Sequence, residues 1–168
     1  ISRTNGQARA VELCELLGLV AATGQQAFGN FPTFHPQYVG GLRASRPFPF
    51  GGHDVVVQFG ARDPGGGTVP RQIRSPERYA AVGLDTSMLG RTQPLDLAIV
   101  ADVSVALEEL TDAVQSLATK ERLATIREAR LSAITPAVAE ARAQREAASR
   151  ENLSASPIHP DRLDYELN

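Results

Sequence analysis

The sequence has little of several features that commonly decide the class of a protein. Cys14 is the only cysteine among 168 residues, which excludes an intrachain disulfide framework and a zinc site built from several cysteines, and fits a reducing cytoplasm. No stretch approaches the roughly 18 apolar residues of a membrane span. A basic segment followed by an apolar run is also lacking at the start, so no signal peptide is predicted. We therefore expect a cytoplasmic protein.

A strong charge of one sign is also lacking. The 17 basic and 19 acidic side chains give a net charge of -2. The chain therefore lacks the positive electrostatic field that attracts nucleic acid or an anionic membrane surface. We predict neither a nucleic-acid partner nor a membrane partner. The hydrophobic content of 42% suffices for one domain with a sizeable core, and the length leaves room for an extension.

The strong catalytic and phosphate-binding motifs are absent as well. Neither G-x-G-x-x-G nor G-x-x-x-x-G-K-[ST] occurs, and no G-x-S-x-G elbow marks a serine hydrolase. The histidines, His35, His53 and His159, lack helical pairing and a cysteine partner, so no zinc site is predicted. The residues alone identify no catalytic group and no metal ligand.

Four short apolar segments predict β-strands, at residues 19–23, 53–60, 78–85 and 97–102. The second, HDVVVQFG, has the continuous valine run typical of a strand buried on both faces of a parallel sheet. A helix over 5–17 comes first, with Gly18 where a left-handed helix end belongs. Segment 25–42 is predicted to be irregular, with one helical turn near its end. This alternation predicts an α/β, Rossmann-like fold, with a mostly parallel sheet and helices on both faces.

A C-terminal helical extension is predicted where the composition changes to Ala, Glu, Arg and Leu. Ser104 is expected to cap a helix whose apolar positions are Leu107, Leu110, Val114 and Leu117. A second helix begins at Thr119 or Lys120, and Thr135-Pro136 predicts the start of a third. The chain therefore divides into a main domain over 1–118, a helical extension over 119–152 and a linker over 153–168.

The carboxyl ends of the predicted strands form one candidate binding edge. In open α/β sheets, ligands bind beyond these ends, where helix N-termini and loop amides point at them. The edge consists of Thr23-Gly24, Gly60-Ala61-Arg62-Asp63, Asp85-Thr86 and Asp102-Val103. Aspartate suits a ribose diol, glycine lets the backbone approach a phosphate or a flat ring, and arginine suits a phosphate. The same residue types also suit ordinary turns after strands, so both interpretations stay open.

The order of the motifs is more specific than any one of them. AVELCELLGLVAATGQQAFGNFPTFHPQYVGGL, DVVVQFGAR, YAAVGLDTSMLG and IVADVSVALEEL follow one another along the chain. This order resembles the central domain of thiamine-diphosphate-dependent enzymes of the acetolactate synthase and benzoylformate decarboxylase type. The tail SASPIHPDRLDYELN is similar to the passage that opens the third, diphosphate-binding domain of that family. The resemblance covers nearly the whole chain.

The resemblance implies that the chain is the middle piece of an enzyme with three α/β domains and is not catalytic alone. The first domain of the family supplies the glutamate that activates the thiamine ring, and the third supplies a GDG…N motif that holds Mg and the diphosphate. The implied parent is a carboligase or decarboxylase, hence a transferase or lyase, that acts on 2-oxo acids and forms dimers or tetramers. The implied partners of this piece are the N- and C-terminal domains of the parent chain.

The resemblance also implies a nucleotide site, because some family members bind FAD or ADP across these strand ends. Carried over by matching motif, the implied cofactor-binding residues are Gly24, Gln25, Gly60, Ala61, Arg62, Asp85, Asp102 and Val103. The pattern departs from the family at 42–46, where LRASR replaces the segment that contacts the flavin. The family's first strand and its glycine-rich turn would precede Ile1. The site is therefore either an FAD or ADP site or a degenerate, empty one. The alternative function is an independent nucleotide-binding or regulatory α/β module.

Overall fold

A computed structural model describes residues 1, 5–24, 29–41, 53–60, 77–91, 94–160, 162 and 166, with the backbone alone at 145 and 149. Helices and strands alternate along these residues as in an α/β fold. In chain order the elements are α1 (Gln7–Leu17), β1 (Ala21–Thr23), β2 (Tyr38–Gly41), β3 (Val55–Phe59), β4 (Arg78–Gly83), β5 (Leu97–Val100), α2 (Val103–Leu117) and α3 (Lys120–Glu151).

All strand pairs in the described residues are parallel. β1 pairs with β2 in a two-stranded sheet, and β3, β4 and β5 form a three-stranded sheet in that order. The register of the larger sheet runs without interruption from Val55 opposite Arg78 to Gly83 opposite Val100. The prediction of a Rossmann-like α/β fold with a parallel sheet is thus confirmed.

The ends of the first two helices follow from local chemistry. α1 stops at Gly18, which is left-handed (φ 62°, ψ 46°) and whose amide donates to the carbonyl oxygen of Cys14, as the sequence predicts. α2 begins after Asp102, whose carboxylate accepts hydrogen bonds from the amides of Ser104 and Val105. The prediction that Ser104 caps this helix is wrong. The cap is Asp102, two positions earlier, because its carboxylate supplies the hydrogen-bond acceptor.

The C-terminal extension is one helix. The predicted break at Thr135-Pro136 is wrong, since α3 runs continuously through Pro136. Proline removes its own N–H from the helical ladder and its ring crowds the carbonyl group four residues earlier, but packing holds the turns on either side of it: Leu123 and Val138 are 5% and 2% exposed. α3 packs against α1 and β2.

The segment around residue 38 also differs from expectation. Tyr38–Gly41 forms a strand where the sequence predicts irregular structure. Its two glycines have low strand propensity, so the strand forms through contacts with distant residues. The side chain of Gln37, 4% exposed, donates hydrogen bonds to the carbonyl oxygens of Cys14 and Leu19, at 2.8 and 2.7 Å.

One apolar cluster lies where α1, α2 and both sheets meet. Its buried members are Ala10, Leu13, Phe31, Val103 and Leu107, and its partly buried neighbours include Ile1, Ala21, Tyr38 and Phe59. Because Ala21 and Phe59 belong to different sheets, the two sheets share a core. In the described part of the chain no helix is long and apolar enough to cross a membrane.

β3 is not buried on both faces, contrary to the prediction from its valine run. Val55 and Val57 are 54% and 40% exposed. The register places Leu97 and Ile99 of β5, 53% and 39% exposed, on the same face. The valine run predicts a parallel strand correctly, but burial depends on which layer covers the sheet, and the run itself does not contain that information.

Candidate functional site

The carboxyl ends of β3, β4 and β5 lie at one edge of the larger sheet because the three strands are parallel and in register. The amide of Gly60 donates to the carbonyl oxygen of Val82 at 2.8 Å, and the amide of Ala101 donates to that of Gly83 at 3.3 Å. These bonds continue the ladder past the last strand residues. They bring the ends of all three strands together as the sequence predicts.

Gly60 lies at the most crowded point of this edge. Its φ is +60°, and a Cβ built on it would lie 3.0 Å from Cγ2 of Val103 and 3.9 Å from the amide nitrogen of Ile1. A left-handed backbone favours glycine, and a Cβ at this position would crowd the side chain of Val103. The edge therefore brings together the end of β3, the first residue of α2 and the polypeptide at Ile1.

Asp102 connects the end of β5 to the start of α2. Its Oδ1 accepts hydrogen bonds from the amides of Ser104 (2.8 Å) and Val105 (3.3 Å). The carboxylate thereby satisfies the first free amides of the helix and lies at the positive end of its dipole. Asp102 thus has a structural task in addition to the predicted ligand contact.

Asp85 forms a turn after β4. Its Oδ1 accepts hydrogen bonds from the amide and the hydroxyl of Ser87, at 3.0 and 2.6 Å, and its carbonyl oxygen accepts one from the amide of Met88 at 3.1 Å. This is the turn chemistry that aspartate commonly provides. The residue is exposed, so its carboxylate also meets solvent at the strand end.

Gly24 follows β1, in the smaller sheet. A Cβ built on it would meet nothing within 4 Å, so the backbone here borders open space. The hydroxyl groups of Thr23 and Tyr38 lie 2.8 Å apart, and Tyr38 is stacked on Phe31 with centroids 6.0 Å apart. Tyr38 was not among the predicted site residues, because no local pattern indicates that it belongs to a strand.

Three predicted residues, Gln25, Ala61 and Arg62, lie outside the described residues, as do Asp63 and the glycine run at 65–67. Of the other predicted residues, Gly60, Asp85, Asp102 and Val103 lie at the edge of the larger sheet and Gly24 at the end of β1. The contact of Ile1 with this edge was not predicted, since nothing in the sequence relates Ile1 to Gly60. The assignment of these residues to a cofactor stays a prediction.

The donor groups decide which ligands fit. In the residues that the structure describes, no three His, Cys, Asp or Glu side chains form a group suited to a metal ion. Gly24 fits a flat ligand, because nothing lies within 4 Å of a Cβ built on it and the backbone there is accessible.

A comparison with protein families agrees with this geometry. The family described as thiamine pyrophosphate enzyme, central domain, matches residues 1–110. The matched range includes all five strands, the whole candidate edge and the first part of α2. A search among curated proteins found no match. Since the match covers more than half of the chain, the protein belongs to the family of thiamine pyrophosphate enzyme central domains.

Proposed function

We propose that this domain is the central scaffold of a thiamine-diphosphate-dependent carboligase or decarboxylase that acts on 2-oxo acids. The family match over residues 1–110 carries the proposal. Thiamine diphosphate, when bound in the parent enzyme, serves as the electron sink for the bond next to the substrate carbonyl. We assign Mg and the diphosphate to other domains of the parent, and membership of the family supports this assignment.

The proposal extends to the parent as a whole. One neighbouring domain supplies the glutamate that activates thiamine, the other holds the diphosphate and Mg, and the complete chain is a cytoplasmic homo-oligomer with transferase or lyase activity. Membership of the family supports this organisation. The domain contributes a rigid parallel sheet to which the catalytic domains attach.

The experiment compares the full product of the parent gene with the chain of residues 1–168. Calorimetric titration with thiamine diphosphate in the presence of Mg should show saturable binding by the full product and none by the shorter chain. Omission of Mg is the control and should weaken binding. Binding by the shorter chain, or by neither protein, would contradict the scaffold role.

We also propose that the strand-end edge binds FAD or ADP. The support is geometric: the backbone is accessible at Gly24 after β1, Gly60 after β3 adjoins the N-terminus of α2, and Asp85 after β4 is exposed. The carboxylate of Asp85 suits a ribose hydroxyl, which donates to it.

Thermal unfolding with increasing ADP or FAD tests this site. A ligand at a hundredfold excess over its Kd should raise the free energy of unfolding by roughly 2.7 kcal/mol. The variant Asp85→Asn keeps an oxygen that accepts the bonds from Ser87 but removes the charge, so affinity should fall roughly tenfold or more at unchanged stability.

Asp96→Asn is the matched control for that variant. Asp96 precedes β5 at the opposite edge of the sheet, where its Oδ2 accepts a hydrogen bond from the amide of Tyr79 at 2.8 Å. Its substitution should leave nucleotide affinity unchanged. Equal affinities of Asp85→Asn and the unsubstituted chain would contradict a role for Asp85. If neither nucleotide changes the thermal unfolding, the nucleotide site is contradicted and only the scaffold role remains.

A further inference from the structure

A cavity of about 320 Å³ lies between the segment that leads into β2 and the helix α3. Its described lining consists of Thr33 and Phe34 from that segment, Tyr38 at the start of β2 and Arg142 from α3, and we call it the Arg142 pocket. Small-molecule sites commonly have volumes of about 300–1,000 Å³, so the pocket is large enough for a small organic ligand. None of these four residues belongs to the candidate edge.

Arg142 brings a positive charge to the wall of this pocket. Its side chain is partly buried, and its guanidinium donates to three backbone carbonyl oxygens of the neighbouring segment. Among the residues that the structure describes, no carboxylate forms an ion pair with it. Three more exposed arginines each have such a partner: Arg9, Arg78 and Arg150. Since a charge removed from water is normally paired, the pocket favours an anion.

Two hydrogen-bond donors of the pocket are left for that anion. The bonds from Arg142 to the three carbonyl oxygens come from Nη1 and Nη2, so its Nε–H has no acceptor in the described part of the chain. The hydroxyl of Thr33 is exposed and makes no hydrogen bond to these residues either. A guanidinium forms short, charge-assisted hydrogen bonds with a carboxylate, and a hydroxyl adds one more donor.

The rest of the described lining is aromatic. Phe34 is 85% exposed, so a ligand that covers its ring would remove apolar surface from water. Tyr38 is held in place from two sides: its ring is stacked on the buried Phe31 with centroids 6.0 Å apart, and its hydroxyl lies 2.8 Å from that of Thr23. A ring fixed in this way loses little freedom on binding. The two rings favour a flat, aromatic ligand.

We propose that the Arg142 pocket binds an aromatic carboxylate. The aromatic part packs on Phe34 and Tyr38, and the carboxylate accepts hydrogen bonds from Nε of Arg142 and from the hydroxyl of Thr33. The ligand thereby supplies the anion that Arg142 lacks. It also joins α3 to the segment before β2, so its binding stabilises the smaller sheet. Because α3 lies beyond the residues that the family model matches, membership of the family does not account for this pocket.

Calorimetric titration of the chain with 2-naphthoate tests the class of ligand. 2-Naphthamide keeps the rings and removes the charge, whereas acetate keeps the carboxylate and lacks the rings. 2-Naphthoate should bind saturably. Both analogues should bind roughly tenfold more weakly or worse, because one loses the charge-assisted hydrogen bonds and the other loses the contacts with the aromatic side chains.

Substitutions in the pocket test the place of binding. Phe34→Ala should weaken the binding of 2-naphthoate roughly tenfold without loss of stability, because the ring is exposed. Thr33→Val keeps the shape and removes the hydroxyl, so it should weaken binding roughly two- to tenfold. Leu117→Ala is the matched control: Leu117 is also 85% exposed but lies on α2, so affinity should not change. Bound 2-naphthoate should slow amide exchange in β1 and β2, with little change in β4.

Four results would overturn the proposal. They are no saturable binding at millimolar 2-naphthoate, equal binding of 2-naphthamide, equal affinities of Phe34→Ala and Leu117→Ala, and displacement of 2-naphthoate by ADP. Displacement would mean that the aromatic acid binds at the candidate edge. If ADP itself does not bind, 2-naphthoate should bind all the same, so the failure of the nucleotide site and the failure of this pocket are distinguishable.

Discussion

The two sheets of this domain are held in different ways. The smaller sheet has strands of three and four residues and an irregular register. Contacts with two helices hold it: Gln37, directly before β2, donates to the carbonyl oxygen of Cys14 in α1, and Arg142 of α3 donates to those of Phe34, His35 and Tyr38. The larger sheet has an unbroken parallel ladder. The smaller sheet therefore depends on tertiary contacts, and the larger sheet depends more on its own backbone pairing.

The long helix α3 packs on the smaller half although it lies outside the residues that the family model matches. The family match ends at residue 110, and α3 lies beyond it. Yet the guanidinium of Arg130 donates to the carbonyl oxygen of Leu17 at 3.0 Å, and Val138 is 2% exposed. α3 thus packs as part of the smaller half of the domain, and its loss should affect that half first.

The largest effect is expected at Cys14, whose carbonyl group joins α1 to the smaller sheet. Burial, and then the carboxylate of Glu15, raises the pKa of the Cys14 thiol from 9.0 to about 12. At pH 8 the native thiolate fraction, and with it the rate of alkylation, should be roughly a thousandfold below that of the unfolded chain. Iodoacetamide labelling followed by mass spectrometry measures both rates, and a difference of less than tenfold would contradict the buried thiol.

The same thiol gives a pH dependence of defined sign. A folded pKa above the unfolded value means that the folded state holds its proton more tightly, so this contribution to stability is complete below about pH 9 and is lost as the pH rises toward 12. Urea unfolding of the chain and of Cys14→Ala between pH 8 and pH 11 should show a steeper decline for the chain. If the free energy of unfolding declined equally with pH in both proteins, the raised pKa of the Cys14 thiol would be contradicted.

Substitution of Leu107 should weaken both halves together. Leu107 is 1% exposed and lies in the cluster that both sheets contact. Leu107→Ala should lower the free energy of unfolding by about 2–5 kcal/mol, because it removes buried methyl groups and leaves a cavity. Leu117→Ala on the same helix is the control: Leu117 is 85% exposed, and its loss should cost less than about 0.5 kcal/mol. Hydrogen exchange that accelerates in one sheet alone would show that the cluster does not couple them.

A substitution at Gly18 should act on the smaller half. The residue has φ +62°, and an added Cβ would lie 2.9 Å from the carbonyl oxygen of Arg127 on α3. Gly18→Ala should therefore destabilise the domain by about 2–3 kcal/mol. Gly24→Ala, where nothing lies within 4 Å, should be neutral or stabilising by up to about 1 kcal/mol. Urea unfolding measures both, and equal effects would contradict the close contact of α1 with α3.

The two halves also differ in how far the sequence predicted them. The strands of the larger sheet were predicted because apolar runs that end in glycine or aspartate are a local signal. β2 was missed because contacts with distant residues stabilise it: Gln37, directly before the strand, donates to the carbonyl oxygen of Leu19, and Arg142 of α3 donates to that of Tyr38. The break at Pro136 was predicted wrongly for a related reason: Thr-Pro is typical of a helix start, but the packing of Val138 overrides it.

The candidate edge was predictable in position but not in detail. Strand ends place Gly60, Asp85 and Asp102 at one edge by general topology. Whether an aspartate there binds a ligand or caps a helix depends on which amides it faces, and Asp102 faces those of Ser104 and Val105. The approach of Ile1 to Gly60 depends on the packing of the whole domain and has no local signal.

A smaller and more local effect is expected from Arg142. Its guanidinium donates to three backbone carbonyl groups in the segment that leads into β2. Arg142→Met keeps the apolar stem but removes these bonds, so stability should fall by about 1–2 kcal/mol, with faster exchange in β1 and β2 and little change in β4. Arg150→Met is the control, since Arg150 makes only an exposed ion pair with Glu146 among the described contacts. If both variants behave alike, α3 does not hold the smaller sheet.

The smallest effect is expected from the ion pair that joins α1 to α2. Nη2 of Arg9 lies 3.0 Å from Oε1 of Glu108, with side chains 42% and 52% exposed. Solvent screens such a pair, so a double-mutant cycle of Arg9→Met and Glu108→Gln should give a coupling free energy of about 0.2–1 kcal/mol that decreases with added salt. Glu12 also pairs with Arg9 at 3.3 Å, so Glu12→Gln serves as a second cycle. A coupling above about 2 kcal/mol would mean that a surface charge pair, rather than the shared apolar cluster, carries the contact between the two helices.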